Sequence, residues 1–600
     1  MTDDIKSHPH PDPEAPTPPG PPTEDLTFPP ARVVVPIIAG LYLGIFLVAL
    51  DRTIIATAIP IITNEFKSLK DVGWYGSAYL LTSCSMQLLI GRIYTFYNPK
   101  YVYLSSLSLF EVGSAICGAA PTSTSFIVGR AIAGLGSAGV FTGGILLIIP
   151  LVPLRTRPIT QGMAGALFGI ASVAGPLMGG AFTEKISWRW CFYINLPIGG
   201  FTMAIIFFVL THTPAPKNAG LGIKNKILQL DPVGTMCFTP SMICLLIALQ
   251  WGGTNYAWSN GRIIALFVIF GVLFVAFVAI QILTPETATV PVRVITQRTV
   301  AAAFLYLFCA YSSMMVMVYY LPIYFQAIKN VSAFKSGIMS LPLIIALVIA
   351  SIMAGASVTR FGYYTPFLIA SSIVASVGAG LITTFEPNTG HAKWIGYQVI
   401  FGFGLGLGMQ QANVSVQCVL SRADVPTGTT LMFFANQLGA AVFLSVSQNI
   451  FTSQLVGGVR ELAGLDPRVV VRTGATDLRA AVAPADLPAV IEAYNRALIK
   501  AFIVGVAMCC LSFFGSVAVE WKSVRTAKPD QPAEQKSAER RETAEKGPER
   551  PERPEKSERS EGLEGASAEM DSSKGLGAKE VGSPKGLSAK EVAVQRKTDA

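Results

Sequence analysis

Histidine is scarce in this chain: four occur in 600 residues, and His8, His10, His212 and His391 all fall in terminal or loop segments. None can relay protons at the depth of the apolar runs. The nine cysteines, among them Cys84, Cys117, Cys309, Cys509 and Cys510, lie within or beside those runs and form no C-x-x-C pair. That placement fits small buried hydrophobes and excludes a cysteine-ligated metal. No P-loop, histidine cluster or nucleophile motif appears, which argues against a nucleotide-driven machine and against an enzyme. Charge is sparse as well: charged residues make up 14% of the chain against 51% hydrophobic, and the net charge is +9. The basic residues are scattered through short loops and a mixed-charge C-terminal segment, without an aromatic-rich basic face, so nucleic acid is excluded as a partner.

What is abundant is apolar sequence, with a mean hydropathy of +0.50. Runs of about 20 apolar residues, each enough to cross a bilayer, recur from about residue 33 to residue 519. The reading is an all-α polytopic membrane protein with about fourteen spans. Six lie near 33–60, 72–94, 102–121, 125–149, 161–183 and 192–211; a pair follows at 232–250 and 262–283. The last six lie near 300–322, 335–357, 365–384, 394–418, 428–451 and 499–519. The expected domains are an N-terminal tail (1–32), a six-helix half (33–211), a linker with two additional helices (212–299), a second six-helix half (300–519) and a C-terminal tail (520–600). An even number of spans puts both tails on one side. Arg92, Lys100, Arg155, Arg157, Lys217, Lys224, Lys226, Arg293 and Arg298 bias that side towards the cytoplasm.

The proline-rich start lacks a basic segment followed by an apolar core, so it reads as a disordered tail and not a cleaved signal peptide. The segment beyond Trp521, with its degenerate repeat GLGAKEV at 575–581 and GLSAKEV at 586–592, also reads as disordered. The polar loop 452–498 is expected to cap the outer face. Asn330, in Asn-Val-Ser before the tenth span, is a candidate glycosylation site.

Ionised groups inside spans cost about 3 kcal/mol or more each. Asp51 and Arg52 occur in the first span, Glu111 in the third and Arg130 in the fourth. Arg130 cannot deprotonate and needs a carboxylate, either Asp51 or Glu111; Asp51 could instead cap its helix near one end. Asp51, Glu111 and Arg130 are therefore the proton-coupling candidates. The second half carries amides in place of acids. Gln410, Gln411, Asn413, Asn436 and Gln437, with Tyr319 and Phe325, are candidates for a cavity that takes a neutral or amphiphilic organic molecule. Glycines crowd the fifth span, where Gly165, Gly169 and Ser172 form one small-residue row, continued by Gly175, Gly179 and Gly180 beyond Pro176. This row predicts a kinked, closely packed helix. In FGFGLGLG, Gly402 with Gly406 and Gly404 with Gly408 form two adjacent rows.

Two six-span groups around an inserted pair resemble the major facilitator superfamily, in its fourteen-span drug:proton antiporter branch. LDRTIIATAIP at 50–60 is similar to that branch's first-span motif, and GRAIAGLGSAG at 129–139 to its intramembrane-arginine motif. GIASVAGPLMGG at 169–180 is similar to the antiporter motif of the fifth span. WRWCFYINLPIGG at 188–200, LDPVGT at 230–235, ALQWGG at 248–253, YYLPIYFQ at 319–326 and GYQVIFGFGLGLGMQQ at 396–411 are similar to fungal members. One loop departs from the pattern: where the family has G-x-x-x-D-R-x-G-R-K, Thr95 replaces the acid and Asn98 the second glycine, leaving Arg92 to take part of that role. The resemblance implies a monomeric exporter of small organic molecules (mycotoxins, secondary metabolites or antifungal drugs) in the fungal plasma membrane, with vacuolar or vesicular membranes as the alternative. It implies a proton gradient as the energy source, no cofactor, and partners limited to substrate and bilayer. It also implies that Gly169, Gly175, Pro176, Gly179 and Gly180 seal the cavity against proton leak. The rival readings are a siderophore-iron transporter and a membrane sensor that binds without transporting.

Overall fold

The computed structural model describes residues 29–68, 71–211, 222–253, 256–460 and 482–525. Residues 1–28 and 526–600 of the expected tails and 461–481 of the expected capping loop lie outside the described residues; the described flanks of that loop are mostly helix, up to Arg460 and again from Leu487, so the loop is shorter than 452–498. Fourteen long helices account for most of the rest: α1 (Ala31–Phe66), α2 (Val72–Phe96), α3 (Pro99–Ala119), α4 (Ser123–Leu146), α5 (Arg157–Lys185) and α6 (Asn195–Val209). The inserted pair is α7 (Pro232–Trp251) and α8 (Gly261–Leu283). The second half comprises α9 (Arg298–Ala327), α10 (Leu341–Phe361), α11 (Thr365–Ile382), α12 (His391–Val419), α13 (Val425–Arg460) and α14 (Leu487–Ala518).

Twelve of these are long and apolar enough to cross a membrane; α2 and α12 fall short. The reason is burial. Most of α12 from Phe401 to Gln417 is enclosed by other helices, and a helix shielded from lipid does not need an apolar surface. Its two glycine rows show how it is enclosed: a methyl group at Gly402 or Gly406 would strike the backbone of α10, and one at Gly404 the backbone of α11.

Helix starts follow local chemistry. Asn98, at the departure from the family loop, accepts a hydrogen bond from the Lys100 amide and caps α3, with Pro99 as its first residue. Thr122 caps α4, and Asn260 caps α8 in the same way. The helices alternate in direction, so α1 begins and α14 ends on one side, here the tail side. There Arg298 Nε donates to Ala518 O at 2.9 Å, and the Val524 amide to Gly362 O at 2.9 Å.

The halves meet at the tail side along two seams. At one, a Cβ on Gly91 of α2 would overlap Thr430 of α13, and Phe141 of α4 meets Phe433 of α13 edge-on at 4.8 Å. At the other, Gly162 of α5 touches Ser351 of α10 and Gly355 of α10 touches Pro158 of α5. The inserted pair lies beside the α2–α13 seam. In α7, Trp251 meets Trp74 of α2 (6.2 Å) and Phe238 meets Phe434 of α13 (5.4 Å). The outer helix α8 presents Val268, Val272, Val275 and Ile282 outward, as lipid contact requires.

Polar contacts at the tail side strap the linker down. Asp231, in a left-handed conformation (φ 49°), caps α7 and accepts from Gln281 Nε2 at 2.6 Å and Thr289 Oγ1 at 2.9 Å. Arg92 donates to the carbonyls of Gln229 (2.8 Å) and Thr287 (3.0 Å), while Arg293 forms a bidentate pair with Asp424 at 2.7 Å. With Thr95 in place of the family's acid, Arg92 thus grips linker carbonyls.

Candidate functional site

Asp51 lies mid-helix in α1, fully buried; it is neither a cap nor a loop anchor. Its Oδ2 accepts from Arg130 Nη1 at 2.7 Å, with side-chain exposures of 0% and 2%. Arg130 also donates from Nε to Tyr75 O at 3.0 Å and packs its guanidinium 4.5 Å from the Tyr79 ring centroid. Asn195, at the start of α6, donates to Asp51 Oδ1 at 3.4 Å and to Ser114 Oγ at 3.2 Å. A buried pair with this many satisfied atoms is stable in place, but losing one partner leaves an uncompensated charge. The pairing also decides between the two carboxylates that could have served Arg130. Glu111 is not its partner: it is 6% exposed, packs against Gly199 of α6, and neither oxygen has a hydrogen bond among the described residues.

The next residue points elsewhere. Arg52 Nη2 donates to Gln437 Oε1 of α13 at 3.0 Å and to Ser83 Oγ of α2 at 3.4 Å, and Gln437 Nε2 donates to Ser83 Oγ at 2.8 Å. Asp51 thus bonds within the first half while Arg52 bonds across to the second. Phe304, Phe308, Tyr311 and Met315 share one face of α9 at helical spacing and are only partly buried. Tyr311 is within electrostatic reach of Arg52. Further along the same helix, Tyr319 is 48% exposed.

The other cavity candidates divide. Asn436 and Gln437 of α13 are half-buried, Gln437 bonded to Arg52 and Ser83, while the enclosed Asn436 Oδ1 has no partner among the described residues. Gln410 is half-buried against Gly165 of α5. Phe325 does not line the expected cavity: it is fully buried in the second-half core, 5.2 Å from Trp394. Gln411 and Asn413 are also enclosed, Gln411 with neither amide atom bonded among the described residues. Residue type does not reveal which face of α9 or α12 meets a cavity, and that is why the sequence does not separate these three from the other candidates.

In α5, Pro176 sits inside one continuous helix. Gly162, Gly165 and Gly169 face the second half, at Ser351, Gln410 and Val348. Gly175 and Gly179 face α1, where a Cβ would overlap Thr53 and Thr57. Gly180 does not continue that row: nothing lies within 4 Å of a Cβ built there. Helix α5 is therefore a spacer with two glycine faces, one against each half. Thr53 Oγ1 fastens the α1 contact by donating to Ala171 O at 3.0 Å.

Asn330 is exposed at the end of α9 away from the tail side, with a left-handed φ of 55°, and Ser332 accepts from the Lys335 amide. The roles of Ser83, Tyr79 and Asn195 had no signal in the sequence beyond lying in spans. Arg52 had one, since its charge at mid-span carries the same cost as that of Arg130.

The model of the Major Facilitator Superfamily matches residues 41–444. The chain is 53% identical over 498 residues to a protein named MFS-type efflux pump MFS1 from Trichophyton rubrum, covering 83% of this chain and 93% of that one. It is 51% identical over 494 residues to efflux pump aflT of Aspergillus parasiticus, covering 82% and 96%. Among solved structures it is similar to the human organic anion transporter MFSD10, with a TM-score of 0.50 at 14% identity over 80% of this chain and 100% of that one; this likeness is one of fold.

Proposed function

The chain belongs to the Major Facilitator Superfamily, and from that premise we propose that it exports a small amphiphilic organic compound in exchange for protons. The observation that carries the proposal is the Asp51–Arg130 pair, buried at mid-helix, with the next residue, Arg52, bonded across to the second half. In this reading a proton reaching Asp51 neutralises the carboxylate and loosens its hold on Arg130. The same change alters how α1 seats against α4 and α6. Substrate binding and proton binding then favour different arrangements of the two halves, which is what antiport requires.

Relatives named as fungal efflux pumps support export, and the class of compound that follows is a secondary metabolite, mycotoxin or antifungal drug. The location we propose is the plasma membrane, with both termini in the cytoplasm and a monomer as the working unit. The joined tail-side seams then correspond to a conformation closed to the cytoplasm. The proton gradient supplies the energy, so the protein needs no bound cofactor. Helix α5, wedged between α1 and α10, acts as the seal between the halves.

The test is uptake of an amphiphilic compound into inside-out vesicles from a pump-deficient host. Accumulation should follow the imposed proton gradient and collapse when a protonophore dissipates it. Accumulation that persists after collapse would refute antiport.

A further inference from the structure

Arg52 is a cation at mid-helix without a counter-ion. Among the described residues it forms no salt bridge. Asp51 is engaged with Arg130, and Glu111 faces Gly199 in the first half. The neighbours of Arg52 are neutral: the Gln437 amide, the Ser83 hydroxyl and the Tyr79 ring, whose centroid is 5.4 Å away. Its Nε is buried without an acceptor, and its hydrogen bonds to described residues all leave from Nη2.

Arg52 is not required as a strut. Gln437 Nε2 already bonds Ser83 Oγ at 2.8 Å, so α13 and α2 are linked without it. A fixed charge at this depth is costly unless something compensates it in part of the cycle. The surroundings indicate what that is. Tyr311 of α9 lies within electrostatic reach of the guanidinium, on a helix face that also carries the partly buried Phe304, Phe308 and Met315.

We propose that Arg52 is the anchor for an anionic group on the transported compound, a carboxylate or an ionised phenol carried on an aromatic body. The proposal rests on the efflux reading and narrows its substrate class. A guanidinium offers a planar fork of donors that a carboxylate meets with two parallel hydrogen bonds. Tyr311 and the face of α9 that it shares supply the wall for the body of the ligand.

The test uses the purified full chain and a matched pair of probes, 3-hydroxy-2-naphthoate and its methyl ester, read by ligand-dependent thermal stabilisation at neutral pH. The acid should half-saturate the wild-type protein at a concentration at least about tenfold lower than the ester, equivalent to about 1.4 kcal/mol. Arg52→Gln should reduce that preference below about twofold, and Arg52→Lys should leave it in between. Gln437→Glu, which places an internal carboxylate at the atom Arg52 already touches, should abolish it too, and serves if Arg52→Gln does not fold. Equal affinity for acid and ester, no binding of either, or a preference that survives Arg52→Gln or Gln437→Glu would overturn the assignment. Vesicle transport read in parallel separates the two proposals. Proton-driven export with no acid preference refutes the anion site alone; an Arg52-dependent preference without proton-driven export supports the site and refutes the efflux reading.

Discussion

Replacing Asp51 with asparagine tests the coupling site most directly, because it removes a charge and leaves the shape. Both partners of the pair are buried, so solvent screening does not weaken it. Breaking a buried pair by removing one partner costs about 3–5 kcal/mol, mostly from the charge left behind. In Asp51→Asn the amide oxygen still accepts from Arg130 Nη1, Tyr75 O still takes Nε, and the Tyr79 ring still lies 4.5 Å from the guanidinium. The loss should therefore fall near about 3 kcal/mol, whereas Asp51→Ala, which orphans Nη1, should approach about 5 kcal/mol. Adding Arg130→Gln to Asp51→Asn removes the stranded cation and should recover most of the lost stability, so the two effects are strongly non-additive. Transport should behave differently. No group titrates at position 51 in either variant, so proton-driven accumulation in vesicles should be lost in both. Denaturation midpoints of the purified proteins and protonophore-sensitive uptake measure the two quantities separately. Proton-driven accumulation by Asp51→Asn at the wild-type level would refute the assignment of coupling to this carboxylate.

Two further outcomes follow from local geometry. Gly175→Leu drives a side chain into Thr53 of α1 and should cost about 1–3 kcal/mol by overpacking while blocking or uncoupling transport. Gly180→Leu, which meets open space, should stay within about 0.5 kcal/mol and keep coupled transport; equal effects of the two in vesicle uptake and thermal unfolding would refute the seal. Beyond the last span, Lys522 donates to Glu520 and holds its carboxyl below the ordinary value of 4.5. A carboxyl lowered on folding stabilises the folded segment above its unfolded pKa and loses that contribution as pH falls through its folded value. The protection factor of the Val524 amide, whose N–H bonds Gly362 O, should therefore fall on acidification below about pH 4.5, measured against the intrinsic exchange rate at each pH. Lys522→Ala should remove most of that pH dependence; an unchanged profile would show that the pair does not hold the segment.

Much of the fold was legible because bilayer physics imposes run length. All fourteen long helices correspond to apolar runs read from the sequence; most ends agree to within about two turns, but α13 continues past 451 to Arg460 and α14 begins well before 499, at Leu487, because a helix that leaves the bilayer continues in polar sequence that run length does not register. The glycine rows of α12 were legible for a related reason: in a helix without a hydrophobic drive to associate, spacing of four between glycines marks close backbone approach. The charged site was half legible. Cost at depth singles out Asp51, Glu111 and Arg130, but three helices can be arranged to bring either acid to the arginine, and only the packing of α1 against α4 settles it. The cavity was the least legible part. Tyr319 and Tyr320 are adjacent on α9, yet one is exposed and the other fully buried; Tyr324 and Phe325 are buried as well. Residue type is the same on both sides of such a helix, and the face is set by partners distant in sequence.

The adjacency of Asp51 and Arg52 has a physical consequence that neither residue has alone. Consecutive residues on an α-helix are separated by about 1.5 Å along the axis and about 100° around it. Asp51 therefore faces Arg130 in the same half, while Arg52 faces Ser83 of α2, Gln437 of α13 and Tyr311 of α9. A rotation or tilt of α1 that lengthens one set of contacts must displace the other, since no flexible segment separates them. The glycine face of α5 at Gly175 and Gly179 lets α1 lie close, and Thr53 ties it there through Ala171 O. Three successive residues thus hold three different elements: Asp51 the arginine of α4, Arg52 the second half, Thr53 the spacer helix. Protonation at the first and occupancy at the second then act on one rigid body. In the proposed cycle a proton on Asp51 would relax the grip on Arg130, an anion on Arg52 would strengthen the hold on the second half, and each would shift the position that the other favours. That is the reciprocity antiport requires, and on this proposal the coupling lies in the seating of a single helix, with no wire of side chains between two distant sites.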